Sequence, residues 1–196
     1  MKKLGAPLAV VYFILLACNN DAETTSERTD TSTTSTTNTS TDANPNTATS
    51  VVTDEKSSTF LVKAANSGMA EVQLAKLAQQ KATIAAVKNF AAMLERDHGA
   101  ANDQVKNLAG QRNVSLPASP SEEKQKMYTD MEKMTGKAFD KEYISMMVKG
   151  HNDGIALFED TRSNASDIDI KNFADKTLPT LKMHLDSAKA IQKRYW

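Results

Sequence analysis

Apolar residues recur every three or four positions over most of the C-terminal part of the chain, which is the spacing of one buried helix face. Gly and Pro are scarce there, while Ala, Lys, Gln, Met and Leu dominate. Period-two alternation of apolar residues, the pattern of a half-buried strand, is absent. The pattern predicts an all-α domain with helices over residues 58–80, 83–112, 119–134, 137–163 and 167–194.

The helices divide into two similar hairpins. The sequence Val87–Ala91 (VKNFA) recurs as Ile170–Ala174 (IKNFA) 83 residues later, in the second helix of each hairpin. The connection over residues 113–136 is long enough to cross the full length of a bundle. The prediction is a ferritin-like four-helix bundle with a long crossover that contains a short fifth helix.

Two local signals add detail to the predicted helices, one at a helix start and one inside a helix. Ser119 and Glu122 predict a capping box at the start of the short helix, with Pro120 at its first helical position. Pro179 lies inside the last helix and is expected to bend it, because proline removes a backbone donor.

Polar residues interrupt the apolar faces at a few positions. The chain has three histidines, His98, His151 and His184, and all three fall on predicted buried faces. Glu71 lies on the apolar side of the first helix. With the crossover topology, a rise of about 1.5 Å per residue puts His98 and His151 about 20 Å above one end, and Glu71 and His184 about 12–15 Å above it. The four groups are therefore predicted to form two adjacent layers near the middle of the bundle.

Two interpretations of this polar layer stay open. One is a packing network in which buried histidines hydrogen-bond to carboxylates or carbonyls. The other is a metal site for Zn, Fe, Mn or Cu, with imidazole and carboxylate ligands. The candidate ligands are Glu71, His98, His151 and His184. Four further residues are candidates for contacting and orienting these ligands without binding the metal themselves: Glu95, Asp97, Asp140 and Tyr143. Glu95-x-x-His98 matches one half of the di-iron motif of ferritin-like proteins, but the second half is missing.

The N-terminus has the features of an export signal. Lys2 and Lys3 precede an apolar segment over residues 4–17, which is shorter than the roughly 20 residues of a membrane-spanning helix. The small and apolar residues before Cys18 resemble the lipobox of bacterial lipoproteins. Residues 1–18 are therefore predicted to be a lipoprotein signal peptide with Cys18 as the lipidated residue. Asn19 after this cysteine favours the outer membrane of a bacterial cell envelope over the inner membrane.

Residues 19–56 are predicted to be a disordered tether, and residues 57–196 the folded domain. The tether is rich in Thr, Ser and Asn and has almost no large apolar residues, so it cannot bury a core. As a flexible coil it reaches roughly 35 Å. The chain has 24 basic and 24 acidic residues, and the acids are concentrated in the tether, so the domain is mildly basic. No basic stripe with interleaved aromatics is present, which argues against a nucleic-acid partner.

The ordered motifs of the domain resemble domain-of-unknown-function family 4142, a bacterial group of ferritin-like proteins that are secreted or lipid-anchored. The matching segments are Phe60-Leu61-x-x-Ala64-Ala65, Gly68-Met69-Ala70-Glu71, Met93-x-x-x-Asp97-His98, Phe139-Asp140-x-x-Tyr143, His151 and Leu178-Pro179-Thr180-Leu181-x-x-His184. The resemblance covers roughly residues 59–193. It implies the four-helix fold and an envelope location, and it supplies no reaction.

Two main functional hypotheses follow, and a helix-in-groove site for a protein partner is a third and weaker option because no exposed surface is obviously apolar. Because the sequence has no Ser-His-Asp order, phosphate loop or dinucleotide fingerprint, the first is a lipid-tethered envelope module that is not an enzyme and acts through binding or assembly. The membrane is its expected partner, through the lipid anchor, and no protein partner is identified. The second hypothesis is a metal-binding or redox protein that uses the His/Glu cluster inside the bundle.

Overall fold

The computed structural model describes residues 54–196, and these residues form five α-helices with no strand. The helices are α1 (Glu55–Lys81), α2 (Ala85–Gln111), α3 (Glu122–Lys133), α4 (Gly136–Asn164) and α5 (Ile168–Tyr195). The all-α prediction is confirmed, and each predicted helix end lies within three residues of the observed one. The predicted signal peptide, Cys18 and the tether up to residue 53 lie outside the described residues.

The four long helices form two hairpins that pack side by side. α1 pairs with α2 and α4 pairs with α5, while α1 also packs on α4 and α2 on α5. The starts of α2 and α4 lie at the same end, because Thr83 and Ile84 both contact Asp140. Since α2 ends at the opposite end, the connection that contains α3 must run the length of the bundle. The predicted ferritin-like topology with a long crossover is confirmed.

Buried apolar residues form two clusters along the bundle. The lower cluster surrounds the starts of α2 and α4 and includes Leu94, Phe139 and Ile144, with Met131 of α3 packed against it. The upper cluster is built around the start of α1 and the start of α5 and includes Phe60 and Ile170. The three histidines belong to neither cluster, and each is at least 93% buried. They form a polar layer between the two apolar regions.

Asp140 closes the lower end of the bundle. It is fully buried, and its carboxylate accepts hydrogen bonds from the backbone N–H of Thr83 (3.0 Å) and of Ile84 (3.0 Å) and from the Thr83 hydroxyl (2.5 Å). α2 has Ile84 at its N-cap, and that residue has no side-chain oxygen to offer. Asp140 therefore caps α2 from another helix and satisfies backbone donors that α2 cannot satisfy itself.

Charged groups close the upper end. The guanidinium of Arg112, at the end of α2, donates to both carboxylate oxygens of Asp167 (2.6 and 2.7 Å) and to Asp169 (2.9 Å). Asp167 is also the N-cap of α5 and accepts from two backbone N–H groups. Asp54 caps α1 and accepts from the hydroxyls of Ser57 and Ser166, which joins the start of α1 to the α4–α5 connection.

The start of α3 differs from the prediction. The predicted capping box at Ser119 is wrong, because α3 begins at Glu122 with Ser121 at its N-cap and no side-chain cap. The physical reason is a contact with α1: the Ser121 backbone N–H donates to the Asn66 side chain (2.7 Å), which takes up a donor that a cap would otherwise satisfy. α5 continues through Pro179, which the structure places inside this helix.

Among residues 54–196, none of the helices combines the length and the apolar character needed to cross a membrane.

Candidate metal centre

Three imidazole rings meet in the polar layer, one each from α2, α4 and α5. Nε2 of His151 lies 3.4 Å from Nε2 of His98 and 3.3 Å from Nδ1 of His184. Each ring contributes one nitrogen that lies within 4.8 Å of one nitrogen of each of the other two rings. We call these three nitrogens the inner nitrogens. The prediction that the histidines meet near the middle of the bundle is thus observed, and they form one layer instead of two.

The other nitrogen of each ring points outward to a hydrogen-bond acceptor. Nδ1 of His151 donates to the Met147 carbonyl oxygen (2.9 Å), one turn earlier on α4. Nε2 of His184 donates to Oδ2 of Asp97 (3.0 Å). Nδ1 of His98 lies 3.0 Å from Oε2 of Glu71. Each ring is therefore held in one orientation by a group outside the cluster.

These outer contacts assign the proton on each ring. A carbonyl oxygen only accepts, so Nδ1 of His151 carries the hydrogen and its inner Nε2 carries a lone pair. The neighbouring Arg96 and His184 lower the pKa of Asp97, so Asp97 is an ionised acceptor and the inner Nδ1 of His184 also carries a lone pair. Two acceptors thus face each other at 3.3 Å with no hydrogen between them.

Burial keeps the three rings neutral. It lowers the pKa of His98 to about 4, and it also lowers the pKa values of His151 and His184. At neutral pH the contact between His98 and Glu71 therefore involves a neutral ring and is not an ion pair. A neutral imidazole with a free inner lone pair is the form that binds a metal ion.

The inner nitrogens have the spacing of a metal site. Zn–N bonds of 2.0–2.1 Å at tetrahedral angles put ligand nitrogens about 3.3 Å apart. Two of the separations, 3.3 and 3.4 Å, agree with that value, and the third, between His98 and His184, is within 4.8 Å. The outer contacts also match the usual arrangement, in which a metal-binding histidine donates its other N–H to a carboxylate or a backbone carbonyl. The three buried histidines therefore have the geometry of a metal site.

Glu71 takes a different place from the one predicted for a ligand. Its Oε2 contacts the outer nitrogen of His98, so in this structure Glu71 orients a ring instead of joining the inner nitrogens. Its side chain lies close to Gly150, where an added Cβ would come within 3.3 Å of Oε1. Burial raises the pKa of Glu71.

The four predicted supporting residues divide into three groups. Asp97 supports His184, as expected. Glu95 and Asp140 do not reach the cluster: Glu95 accepts from Gln79 (2.6 Å) on the side of α2 facing α1, and Asp140 caps α2 at the lower end. Tyr143 is fully buried, and its hydroxyl has no hydrogen-bond partner among the described residues. Burial and the charge of Glu71 both raise the pKa of Tyr143.

The Met147 carbonyl is the supporting group that the sequence did not indicate. Any residue supplies a backbone carbonyl, so residue type carries no signal for it. The four-residue spacing from Met147 to His151 is the one cue, since it places the ring over the carbonyl one turn back.

The fold and the site together define a class of protein: a ferritin-like helical bundle with a buried three-histidine layer. The chain belongs to the family described as a domain of unknown function (DUF4142), whose family model matches residues 39–191. The comparison with curated proteins finds no match. A crystal structure of a DUF305 fragment from Deinococcus radiodurans is similar, with a TM-score of 0.65 and 10% identity over 73% of this chain and 99% of that chain. At that identity the similarity concerns the fold alone.

Proposed function

We propose that this domain binds a transition-metal ion through His98, His151 and His184. The observation that supports the proposal is the set of three inner nitrogens facing one another, while the outer nitrogens of His151 and His184 donate to acceptors and that of His98 contacts Glu71. Neutral rings in these orientations cannot satisfy one another, because at least two of the inner nitrogens are acceptors. A cation at the centre satisfies these lone pairs at once and can take a third from the inner nitrogen of His98.

The donor set narrows the choice of ion. Imidazole nitrogens suit zinc, copper and iron, whereas manganese, magnesium and calcium prefer oxygen ligands. Burial of the three rings removes competition from water and from protonation near neutral pH. Among the four ions expected from the sequence, zinc, copper and iron therefore fit this site better than manganese.

We further propose that the domain works at a bacterial cell envelope, attached through a lipid on Cys18, with the outer membrane favoured. The support is the order of basic residues, apolar segment and cysteine at the N-terminus, followed by Asn19. In this proposal the protein holds a metal ion and is not an enzyme. A Cys18→Ser variant should leave the membrane fraction of a bacterial host and lose incorporation of labelled palmitate. Unchanged membrane attachment in that variant would contradict the anchor.

The metal proposal is tested on the full chain in detergent, without a histidine tag, because such a tag binds metal itself. The protein is dialysed against Zn²⁺, and bound metal is measured by elemental analysis. We expect one ion per chain and a stabilisation of about 2.7 kcal/mol at a free Zn²⁺ concentration one hundred times the dissociation constant.

A pair of neighbouring substitutions provides the control. His151→Ala should abolish both the bound ion and the Zn²⁺-dependent rise in melting temperature. Asn152→Ala changes the next residue, which is exposed and donates only to the Val148 carbonyl, and should leave both unchanged. If neither Zn²⁺, Cu²⁺ nor Fe²⁺ binds to the unmodified protein, the layer is a packing network and the proposal is wrong.

A further inference from the structure

A cavity lies directly beside the histidine layer. Its volume is about 350 Å³, and all five helices contribute to its lining. His98, His151 and Glu71 form part of its wall. A volume of this size is at the lower limit of the range typical of small-molecule sites. The cavity therefore places space that a small ligand can fill next to two of the three rings, while His184 does not line it.

Several of the residues that line the cavity are small. α1 is the long helix that supplies no imidazole, and it lines the cavity with Ala64, Ser67 and Gly68. On α4, Gly154 also lines the cavity, and a Cβ added there would meet nothing within 4 Å. Among the described residues, no fourth His, Cys, Asp or Glu joins the inner nitrogens. A metal ion with three protein ligands and adjoining free space keeps a position for an outside ligand.

Charge and apolar surface define the ligand that fits. Three neutral imidazoles leave the double charge of a metal ion uncompensated by its own ligands, so an anion is the preferred fourth group. Lys63 and Lys124 lie at the cavity, together with the carboxylates of Glu71 and of Asp153, which pairs with Lys149. Among the described residues neither of the two lining lysines is within 4 Å of a carboxylate. The remaining wall is largely apolar and includes Leu157, Phe158, Phe173 and Leu181.

We infer that this cavity binds a small organic carboxylate, with its carboxylate group on the metal ion and its apolar chain against the wall formed by Leu157, Phe158, Phe173 and Leu181. The inference rests on the proposed metal site. It differs from that proposal because it assigns an exchangeable ligand, and a closed structural metal site would have none.

The test uses the full chain loaded with Co²⁺, whose visible absorption changes when a ligand joins the metal. Acetate and butanoate are titrated separately into the loaded protein. Both should alter the spectrum, and butanoate should bind about 15-fold more tightly, because each of its two extra methylenes gains about fourfold on burial.

A glycine pair controls for access to the cavity. Gly154→Leu places a side chain in the free space beside His151 and should weaken butanoate binding at least tenfold while Co²⁺ still binds. Gly110→Leu puts the same side chain at an exposed position of α2, also with nothing within 4 Å, and should change neither. Both substitutions remove a helical glycine, which favours the helix, so loss of folding does not confound the result.

The outcomes separate the two proposals. If Co²⁺ does not bind, the metal site itself is wrong. If Co²⁺ binds but neither carboxylate changes its spectrum, the metal site stands and this inference is overturned. It is also overturned if butanoate binds no more tightly than acetate, or if Gly154→Leu leaves butanoate binding unchanged.

Discussion

Two groups of buried polar residues lie in the same bundle and differ in how they are satisfied. At the lower end, the Asp140 carboxylate receives three donors from Thr83 and Ile84. In the polar layer, the three rings have acceptors on their outer sides, while their inner nitrogens face one another. One group is complete with the protein's own atoms, and we propose that the other is completed by a cation.

In this proposal, the difference distinguishes a structural polar group from a binding site without reference to residue type. Histidines, aspartates and glutamates occur in both kinds of place, so composition alone does not distinguish them. What distinguishes them is whether donors and acceptors match, since a buried acceptor without a donor costs free energy. This comparison predicts that substitutions at the two places affect different measurements.

The largest effect is expected at Asp140. Asp140→Ala removes the cap of α2 and leaves a buried gap, so we expect a loss of about 2–3 kcal/mol in the free energy of unfolding. Urea unfolding with and without Zn²⁺ measures it. The Zn²⁺ affinity of the folded variant should stay within twofold of the original. A large loss of affinity would show that the two polar groups are coupled and would break the comparison.

A control for this variant is Asp153→Ala. Asp153 is exposed and pairs with Lys149 on the surface of α4, where such a pair contributes about 0–1 kcal/mol. We therefore expect a change well below that of Asp140→Ala.

At Asp97 we expect the opposite pattern, a large loss of metal affinity with a small loss of stability. Asp97→Asn weakens the acceptor that orients His184, and loss of such a partner typically lowers metal affinity 10- to 100-fold. The metal-free protein should lose less than about 1 kcal/mol, because Asp97 is partly exposed. Competition titration measures the Zn²⁺ affinity, and urea unfolding measures the free energy of unfolding of the metal-free protein. Asp186→Asn, an exposed position two residues after His184, should change neither. Unchanged affinity in Asp97→Asn would mean that packing alone orients the ring.

A third buried polar group, Arg112 with Asp167, extends the comparison to acid pH. The hydrogen bond from Arg112 holds the pKa of Asp167 below its ordinary value of 3.8 in the folded state. A lowered folded pKa means that this contribution to stability is present above about pH 4 and is lost as the pH falls through the folded pKa.

The variant Asp167→Asn tests this contribution, because asparagine still caps α5 but carries no charge. At pH 7 it should be about 1 kcal/mol less stable than the unmodified protein, and the difference should shrink below pH 4. Urea midpoints measured from pH 3 to 7 show this. A constant difference across that range would mean that the charge of Asp167 contributes nothing.

The smallest effect is expected at Tyr143, whose buried hydroxyl has no partner among the described residues. Tyr143→Phe removes an unsatisfied polar atom and keeps the ring that stacks on Phe139, so we expect stability to rise by up to about 1 kcal/mol. Tyr128→Phe, at a half-buried position of α3, should be neutral. A loss of stability in Tyr143→Phe would show that its hydroxyl has a partner in solution.

The sequence predicted the helices and their order because helical periodicity and composition are local properties. It also predicted that His98, His151 and His184 meet, since each lies on an apolar face and the crossover brings those faces to similar heights. The height calculation separated the residues into two layers, whereas the structure has one. A height calculated from the rise per residue does not include the shift of one helix against another that connections and caps produce.

The partners of individual polar groups could not be predicted in the same way. Asp140 was expected near the histidines because it shares a helix face with His151, but it lies more than two turns away and caps α2. The predicted cap of α3 does not form because the Ser121 backbone N–H donates to Asn66, which lies 55 residues earlier in the chain. Both contacts depend on the register between helices, which periodicity does not specify.

The three rings come from both hairpins: His98 belongs to the first, and His151 and His184 belong to the second. An ion held by all three would therefore act as a removable cross-link between the two halves of the molecule. Amide hydrogens in the middle turns of α2, α4 and α5 should then exchange more slowly with the ion bound, and a chelator should release all three segments together.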